Sequence, residues 1–320
     1  MTSSGLTRRG LIAAASALAC PALVRPARAA GGTLNVSAVL RPFNVPQIVM
    51  RERRLLEKRL EPLGMTVTWH DITSGVVQAQ ALASGALDIA SVINPISLVL
   101  ALANHNPMKI VAGFARNTKL AAILSLNPAI RTAADLKGRT VAGIKGTVLH
   151  ELLIKALQQA GLGIDDVTFL DMDLPASYTA LLARRVDAAV LAADLILKAD
   201  HAGAHELEVP PRIVTPVNTV CASDALIARQ PQLVRLFKEA QREAVALVAA
   251  DPEAAIALGC RVNGIAPADG RTLFGWQSFF TDLTEADLDS IGRDMQFLLD
   301  VGLCPRPVDL RAATFEALAT

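Results

Sequence analysis

The sequence predicts an α/β chain of two similar lobes, each a mainly parallel sheet flanked by helices, with a helical C-terminal part. Three observations carry that expectation. Short apolar strand-like runs alternate with runs of helical period, the pattern of parallel sheets with crossover helices. The whole alternation then recurs about a hundred residues later, too long a period for a solenoid. Beyond residue 223 strand-like runs give way to helices.

The first unit opens with the strand Thr33–Val39, followed by an apolar-periodic helix, Gln47–Leu60, and the strand Met65–Trp69. A helix, Val77–Ser84, and a strand, Leu87–Val92, complete it. In open α/β sheets ligands sit beyond the carboxyl ends of the strands, so the loops there are where a site is sought. They are Leu40–Asn44, Asp71–Gly75 and Ile93–Pro95, which bring Asn44, Thr73, Ser74, Gly75 and Asn94 to helix starts. Such residues cap helices, and a capped helix start with free N–H groups also attracts anions. Arg41 and the pair Arg53-Arg54 read as solvated.

The second unit repeats the order with a strand Thr140–Ile144, a helix Val148–Gly161, a strand Val167–Leu170, a helix Ser177–Arg184 and a strand Val186–Val190. Ala81-Leu-Ala-Ser-Gly-Ala-Leu-Asp88-Ile-Ala and Ala180-Leu-Leu-Ala-Arg-Arg-Val-Asp187-Ala-Ala echo one another across the two units. At the centre of the chain, Gly138-Arg-Thr-Val-Ala-Gly-Ile-Lys145-Gly146-Thr147 runs from strand into a glycine turn and a helix start. Gly146 permits the bend and Thr147 is the expected N-cap, so the turn predicts an anion-friendly pocket to which Lys145 adds charge. Asp194 falls where Asn94 falls in the first unit, either facing the other half of a cleft or capping a helix. His201 and His205 stand four apart, but Gly203 between them favours a polar surface loop over a metal site.

The C-terminal helices include Pro231–Ala249, with a stripe at Leu233, Leu236, Phe237, Ala240, Ala244 and Leu247, and one that starts at Asp251-Pro252. Because they follow both units, they are expected to return to the first. The lobes are then residues 31–116 with 223–320, and 117–222. The chain crosses twice, near Gly113–Lys119 and Val214–Val220, and two crossings form a hinge.

Composition narrows the function. Of 320 residues 52% are hydrophobic and 19% charged, a globular balance. Residues 1–29 hold four arginines and no acid; without them 27 basic and 30 acidic residues remain, a net −3. That leaves no basic field for nucleic acid. Thr7-Arg8-Arg9-Gly-Leu-Ile12, the apolar run to Val24 and the small-residue site Ala27-x-Ala29 predict a twin-arginine-like export signal cleaved near Ala29. Cys221, Cys260 and Cys304 then remain, an odd number, which leaves room for one disulfide of undetermined pairing and one buried thiol.

Ser74-Gly75 with Ala81–Ala90, Ala134-Asp-Leu-Lys-Gly138-Arg-Thr-Val with Lys145-Gly146-Thr147, Ala180–Ala189, and Asp224–Pro231 with Asp251-Pro252-Glu253-Ala254 follow one another over most of residues 33–260. In this order they resemble the periplasmic substrate-binding proteins of ABC importers, in the branch that takes up nitrate, sulfonates, taurine or thiamine-precursor pyrimidines. The resemblance implies a two-lobed periplasmic-binding-protein fold of type II-like arrangement, a site lined by the loops around Ser74, Asn94 and Thr147, and closure of the lobes over a small anionic or zwitterionic solute. It implies a monomer that hands its ligand to an inner-membrane permease with a cytoplasmic ATPase, and neither cofactor nor metal. Asn44 and Asn94 would supply neutral hydrogen bonds, and Asp194 would meet an amine. The alternatives are an exported small-molecule enzyme, for which no nucleophile elbow, P-loop or zinc signature occurs, and a binding module that feeds a sensor.

Overall fold

The computed structural model describes residues 32–316 apart from Pro42, Leu120, Pro211 and Arg212. The expected export signal lies outside these residues. The first strand, β1 (Thr33–Ala38), leads to α1 (Val45–Glu52) and α2 (Leu55–Leu60), then β2 (Thr66–Asp71), α3 (Gly75–Ser84), β3 (Ile89–Ile93), α4 (Pro95–Ala103) and β4 (Met108–Asn117). One helix was expected over 47–60, and there are two. Arg54 adopts φ 54°, left-handed, and breaks the helix there, while Leu55, Leu56 and Leu60 still turn inward.

The second series is β5 (Ala121–Ser125), β6 (Thr140–Gly143), α5 (Val148–Gln159), β7 (Thr168–Asp171), α6 (Leu174–Leu182), β8 (Ala188–Ala192), α7 (Asp194–His201) and the short β9 (His205–Glu206). The chain then gives β10 (Val217–Ser223), α8 (Asp224–Arg229), α9 (Pro231–Ala250), α10 (Pro252–Asn263), α11 (Pro267–Gly275), β11 (Gln277–Phe279) and α12 (Glu285–Asp300).

Two sheets result, in the orders β11-β4-β10-β3-β1-β2 and β7-β6-β8-β5-β9. In each, three strands of the repeated unit run parallel, and every remaining pairing is antiparallel. The sheets are therefore mixed where mainly parallel ones were expected, because the strands by which the chain enters each sheet from the other, β5 and β10, run in reverse. Residues 217–222, assigned from the sequence to the second lobe, form β10 of the first sheet, between β3 and β4. The repeated aspartates do the same work in both sheets. Asp88 accepts from Asn35 N at 2.8 Å and donates its own N–H to Asn35 O at 2.9 Å; Asp187 makes the same reciprocal pair with Thr140, at 2.9 Å each way.

Helices after β10 pack back on the first series, α9 and α10 against α1 and α12 against α4. One apolar core runs through both sheets, joining Ile96, Leu98 and Ile110 to Ile123, Val141 and Leu153 by way of Ile291 and Leu298 of α12. Gly113 is required here, since a Cβ on it would lie 2.0 Å from the Phe280 ring. No helix among the described residues is long and apolar enough to cross a membrane. Cys221, Cys260 and Cys304 are free buried thiols, and burial pushes that of Cys221 up to about 12.

Away from the crossings, α5 and α12 bring two buried acids together. Glu151 is 0% and Asp294 4% exposed; Glu151 Oε2 and Asp294 Oδ2 have no hydrogen-bond donor among the described residues. Burial, then the nearby Glu151 charge, pushes the Asp294 carboxyl up to about 8 against the pull of Lys155 and Arg293. An unfolded aspartate titrates at about 4, so the folded chain holds an extra proton between these values and its stability falls as pH rises through that window. The melting temperature of the wild type should therefore decline from about pH 5 to pH 9, and that of Asp294→Asn should decline less, as scanning calorimetry over the range will read.

Candidate functional site

A cavity of about 160 Å³ opens between the two sheets, lined among others by Asn44, Thr73, Asn94, Asn117, Lys119, Ala193, Asn218 and Trp276, with Arg41 on its rim. Its wall is made of helix starts. Asn44, Asn94 and Ala193 are the N-cap residues of α1, α4 and α7, and Thr73 stands next to Ser74, the N-cap of α3. The positive ends of four helix dipoles thus converge, three from the first series and one from the second. Two cations join them and, among the described residues, the lining holds no carboxylate, histidine or cysteine. Such a surface has the charge and the donors to attract an anion.

Sequence explains how these helices come so close. Pro95 occupies the first turn of α4, where its missing N–H costs nothing, and Asn94 Oδ1 accepts from Ser97 N at 2.9 Å. Ser74 caps α3, its hydroxyl accepting from Val77 N. A Cβ at Gly75 would sit 2.7 Å from Ser97 Oγ and 3.0 Å from Asn94 Nδ2, so glycine is what lets the starts of α3 and α4 touch. Below them lies a fully buried polar knot. Gln47 Nε2 donates to Ser37 O at 2.8 Å and Ser37 Oγ to Gln78 Oε1 at 2.7 Å. Ser91 N donates to Ser37 Oγ at 2.8 Å and Gln78 Nε2 to Val92 O at 2.9 Å.

The floor is the pair of crossings. Thr118 donates its N–H and its hydroxyl to Trp276 O at 2.9 and 3.1 Å, which ties the first crossing to the segment before β11. Lys119 Nζ lies 4.9 Å from the Trp276 ring centroid and 2.7 Å from Glu206 Oε1. Asn218 Oδ1 is buried without a partner among the described residues.

Of the residues singled out in the sequence, Asn44, Thr73 and Asn94 line this cavity, and Ser74 and Gly75 adjoin it. Asn44 Nδ2 is engaged by Val39 O at 2.6 Å and Arg41 O at 3.4 Å, so its free atom is the acceptor Oδ1 and it has no amide donor to spare for an anion. Lys145, Gly146 and Thr147 do not line it. Their expected free donors are used within the second series: Lys145 N goes to Asp171 Oδ1 at 2.9 Å and Gly146 N to His150 Nδ1 at 3.4 Å. The Thr147 hydroxyl, at the N-cap position of α5, turns back to Ile144 O at 2.8 Å and caps nothing. A Cβ on Gly146 would stand 3.4 Å from Leu303 Cδ1, so the turn faces the segment after α12. The second series contributes the start of α7 to the cavity in place of the start of α5. Asp194 directs its carboxylate to Lys198 Nζ at 2.8 Å, in a separate pocket of about 230 Å³ that Arg41 also lines.

Sequence reasoning set Arg41 aside and did not single out Asn117, Lys119, Asn218 or Trp276. The first and second crossings were legible as segments, and their polar residues, Asn117-Thr118-Lys119 and Asn218-Thr219, were the available signal. Trp276 had none, since it arrives from 160 residues downstream of Arg116.

The family model described as NMT1/THI5 like matches residues 64–255, and the chain belongs to that family. Residues of this chain are 33% identical, over 125 positions, to a protein of Escherichia coli (strain K12) provisionally named an aliphatic sulfonates-binding protein; the match covers 39% of this chain and 38% of that one. A provisionally named binding protein of Brucella abortus (strain 2308) is 27% identical over 219 residues, 65% of this chain and 64% of its own. The chain thus spans between about a third and two thirds of these relatives. Among solved structures, the alkanesulfonate-binding protein SsuA from Xanthomonas axonopodis pv. citri bound to MOPS superposes with a TM-score of 0.76 at 24% identity, covering 89% of this chain and 98% of that one. The periplasmic aliphatic sulphonate binding protein SsuA from Escherichia coli gives 0.75 at 21%, covering 89% and 92%. The desulfurization enzyme DSZB gives 0.68 at 16%, covering 88% and 96%. The fold is that of periplasmic binding proteins.

Ala193 carries the one strained backbone of the site. Its φ of 51° with ψ −124° is a conformation a side chain resists, and it makes the sharp bend from β8 into α7. Ala193→Gly should fold at least as stably as the wild type, and the β-branched Ala193→Val should lose about 1–3 kcal/mol, measured by urea unfolding.

Proposed function

We propose that this chain is an extracytoplasmic solute-binding receptor that captures a small organic anion, of the sulfonate class, between its lobes and delivers it to an ABC import permease. One observation carries the reading: a cavity between two sheets into which four helix starts, Arg41 and Lys119 point and no acid does. The sulfonate class is supported by the names of the relatives and by the charge of the lining. A sulfonate presents three oxygens to donors arriving from several directions, which suits converging N–H groups better than one planar carboxylate. The donors come from both lobes, so affinity depends on contact with both at once, and closure would strengthen each by excluding water. Export to the periplasm is supported by the arginine-led N-terminus and by the similar Escherichia coli structure, which is named as a periplasmic protein.

The fold alone does not exclude an enzyme, since DSZB shares it. The cavity argues for binding, because among the described residues its lining holds no carboxylate, histidine or cysteine, and its one amine, that of Lys119, is held in an ion pair with Glu206.

Isothermal titration of the chain from residue 30 onward with ethanesulfonate, taurine, nitrate and sulfate tests the proposal. Binding of a sulfonate is expected, with a stabilisation of about 2.7 kcal/mol at a hundred times the dissociation constant readable as a raised melting temperature. Lys119→Met should weaken it by about 10–100-fold, the worth of a charged hydrogen bond. A folded protein that binds none of the four anions refutes the reading.

A further inference from the structure

Lys119 is the cation of the cavity that is already paired. Arg41 makes no ion pair among the described residues, whereas the Lys119 ammonium rests 2.7 Å from Glu206 Oε1 and over the Trp276 ring. It is also a shared wall. On one side it lines the cavity of helix starts, and on the other it lines a second cavity of about 390 Å³ with Glu206 and Glu208. Three bodies meet at this side chain: the first crossing that carries it, the segment before β11 that stacks beneath it, and β9, the edge strand that holds Glu206.

We propose that Glu206 is a tethered competitor for the ligand, holding the Lys119 ammonium while the site is empty and yielding it to an arriving anion. This rests on the reading of the cavity as an anion site. The geometry makes the exchange feasible, because both partners are only partly covered, with Lys119 36% and Glu206 37% exposed, so water and side-chain rotation are available to both. An ammonium carries three donors and one charge. It can touch a carboxylate and a sulfonate together, but the two share its one charge, so the ligand gains less from Lys119 than it would from a free ammonium. Glu206 does not line the cavity of helix starts, so it acts on the ligand through Lys119 and is a positioning residue. Its effect is to lower affinity, which keeps capture reversible enough for release to a partner.

The test is a double-mutant cycle read by titration with ethanesulfonate. Glu206→Gln keeps an oxygen for Lys119 but removes the charge, and should tighten binding about two- to fivefold, the range of a partly exposed ion pair. In the Lys119→Met background the same change should alter affinity by less than about 1.5-fold, because the group through which Glu206 acts is gone. Simple damage to β9 would not tighten binding, and melting temperatures of all four proteins exclude it. A wild type that binds ethanesulfonate with Glu206→Gln unchanged or weaker overturns this inference alone, as does an equal gain in the Lys119→Met background. A wild type that binds neither ethanesulfonate nor the other three anions overturns the functional reading, and this inference with it.

Discussion

The wall of the cavity between the two sheets depends on a buried knot of neutral polar groups. Ser37, Gln47, Gln78 and Ser91 are at most 2% exposed, and they bond strand ends to helices that would otherwise be free to slide: Gln47 belongs to α1, Gln78 to α3, Ser37 to β1 and Ser91 to β3. A buried amide that loses its partner costs about 1–3 kcal/mol, so each contact in the knot penalises displacement of the helix it holds. The knot is uncharged, which spares the fold the larger cost of desolvating ions beside a cavity built to attract one. What α1, α3 and α4 present to the cleft is therefore fixed before any solute arrives, and pre-organised donors need no reordering when it does.

Duplication supplies the frame, and departure from duplication supplies the site. Asp88 and Asp187 pair their sheets with the same reciprocal hydrogen bonds, so the two units share a register at the amino ends of their strands. At the carboxyl ends they differ. The first series lends three helix starts to the cleft and the second lends one, that of α7, reached through the strained bend at Ala193. The start of α5 is turned to the segment after α12, with its donors satisfied by Asp171 and His150. Burial, then the Lys145 charge, holds the His150 imidazole below its usual range, which keeps it neutral as an acceptor for Gly146 N.

Much of the frame was readable along the chain because both repeated units obey local rules: period two in the strands, near 3.6 in the helices, and Ser, Asn or Pro where helices begin. The loops of the first series yielded Asn44, Thr73 and Asn94 for the same reason, since the carboxyl ends of parallel strands are a topological address. The break at Arg54 was hidden, because its apolar neighbours keep a helical spacing across it. The reverse strands were hidden too, as β10 and β11 find their partners at long range. The turn Lys145–Thr147 misled because it has the chemistry of an anion loop, while the direction it faces is decided by Leu303, more than a hundred and fifty residues away. Lys119 and Trp276 escaped notice for that reason as well: each is ordinary alone and becomes informative only beside the other.

The end of the described chain is stitched down. Ile110 N donates to Ala313 O at 2.8 Å, Phe315 N to Ile110 O at 2.9 Å, and Lys109 Nζ to Ala312 O at 2.7 Å, while Arg235 and Lys238 hold Glu316. The segment from Ala312 to Glu316 is thus held to the body of the first sheet. A fluorophore placed there makes a fixed reference, against which a second dye on the exposed Lys137 of the second series would report any change in distance between the two halves by energy transfer.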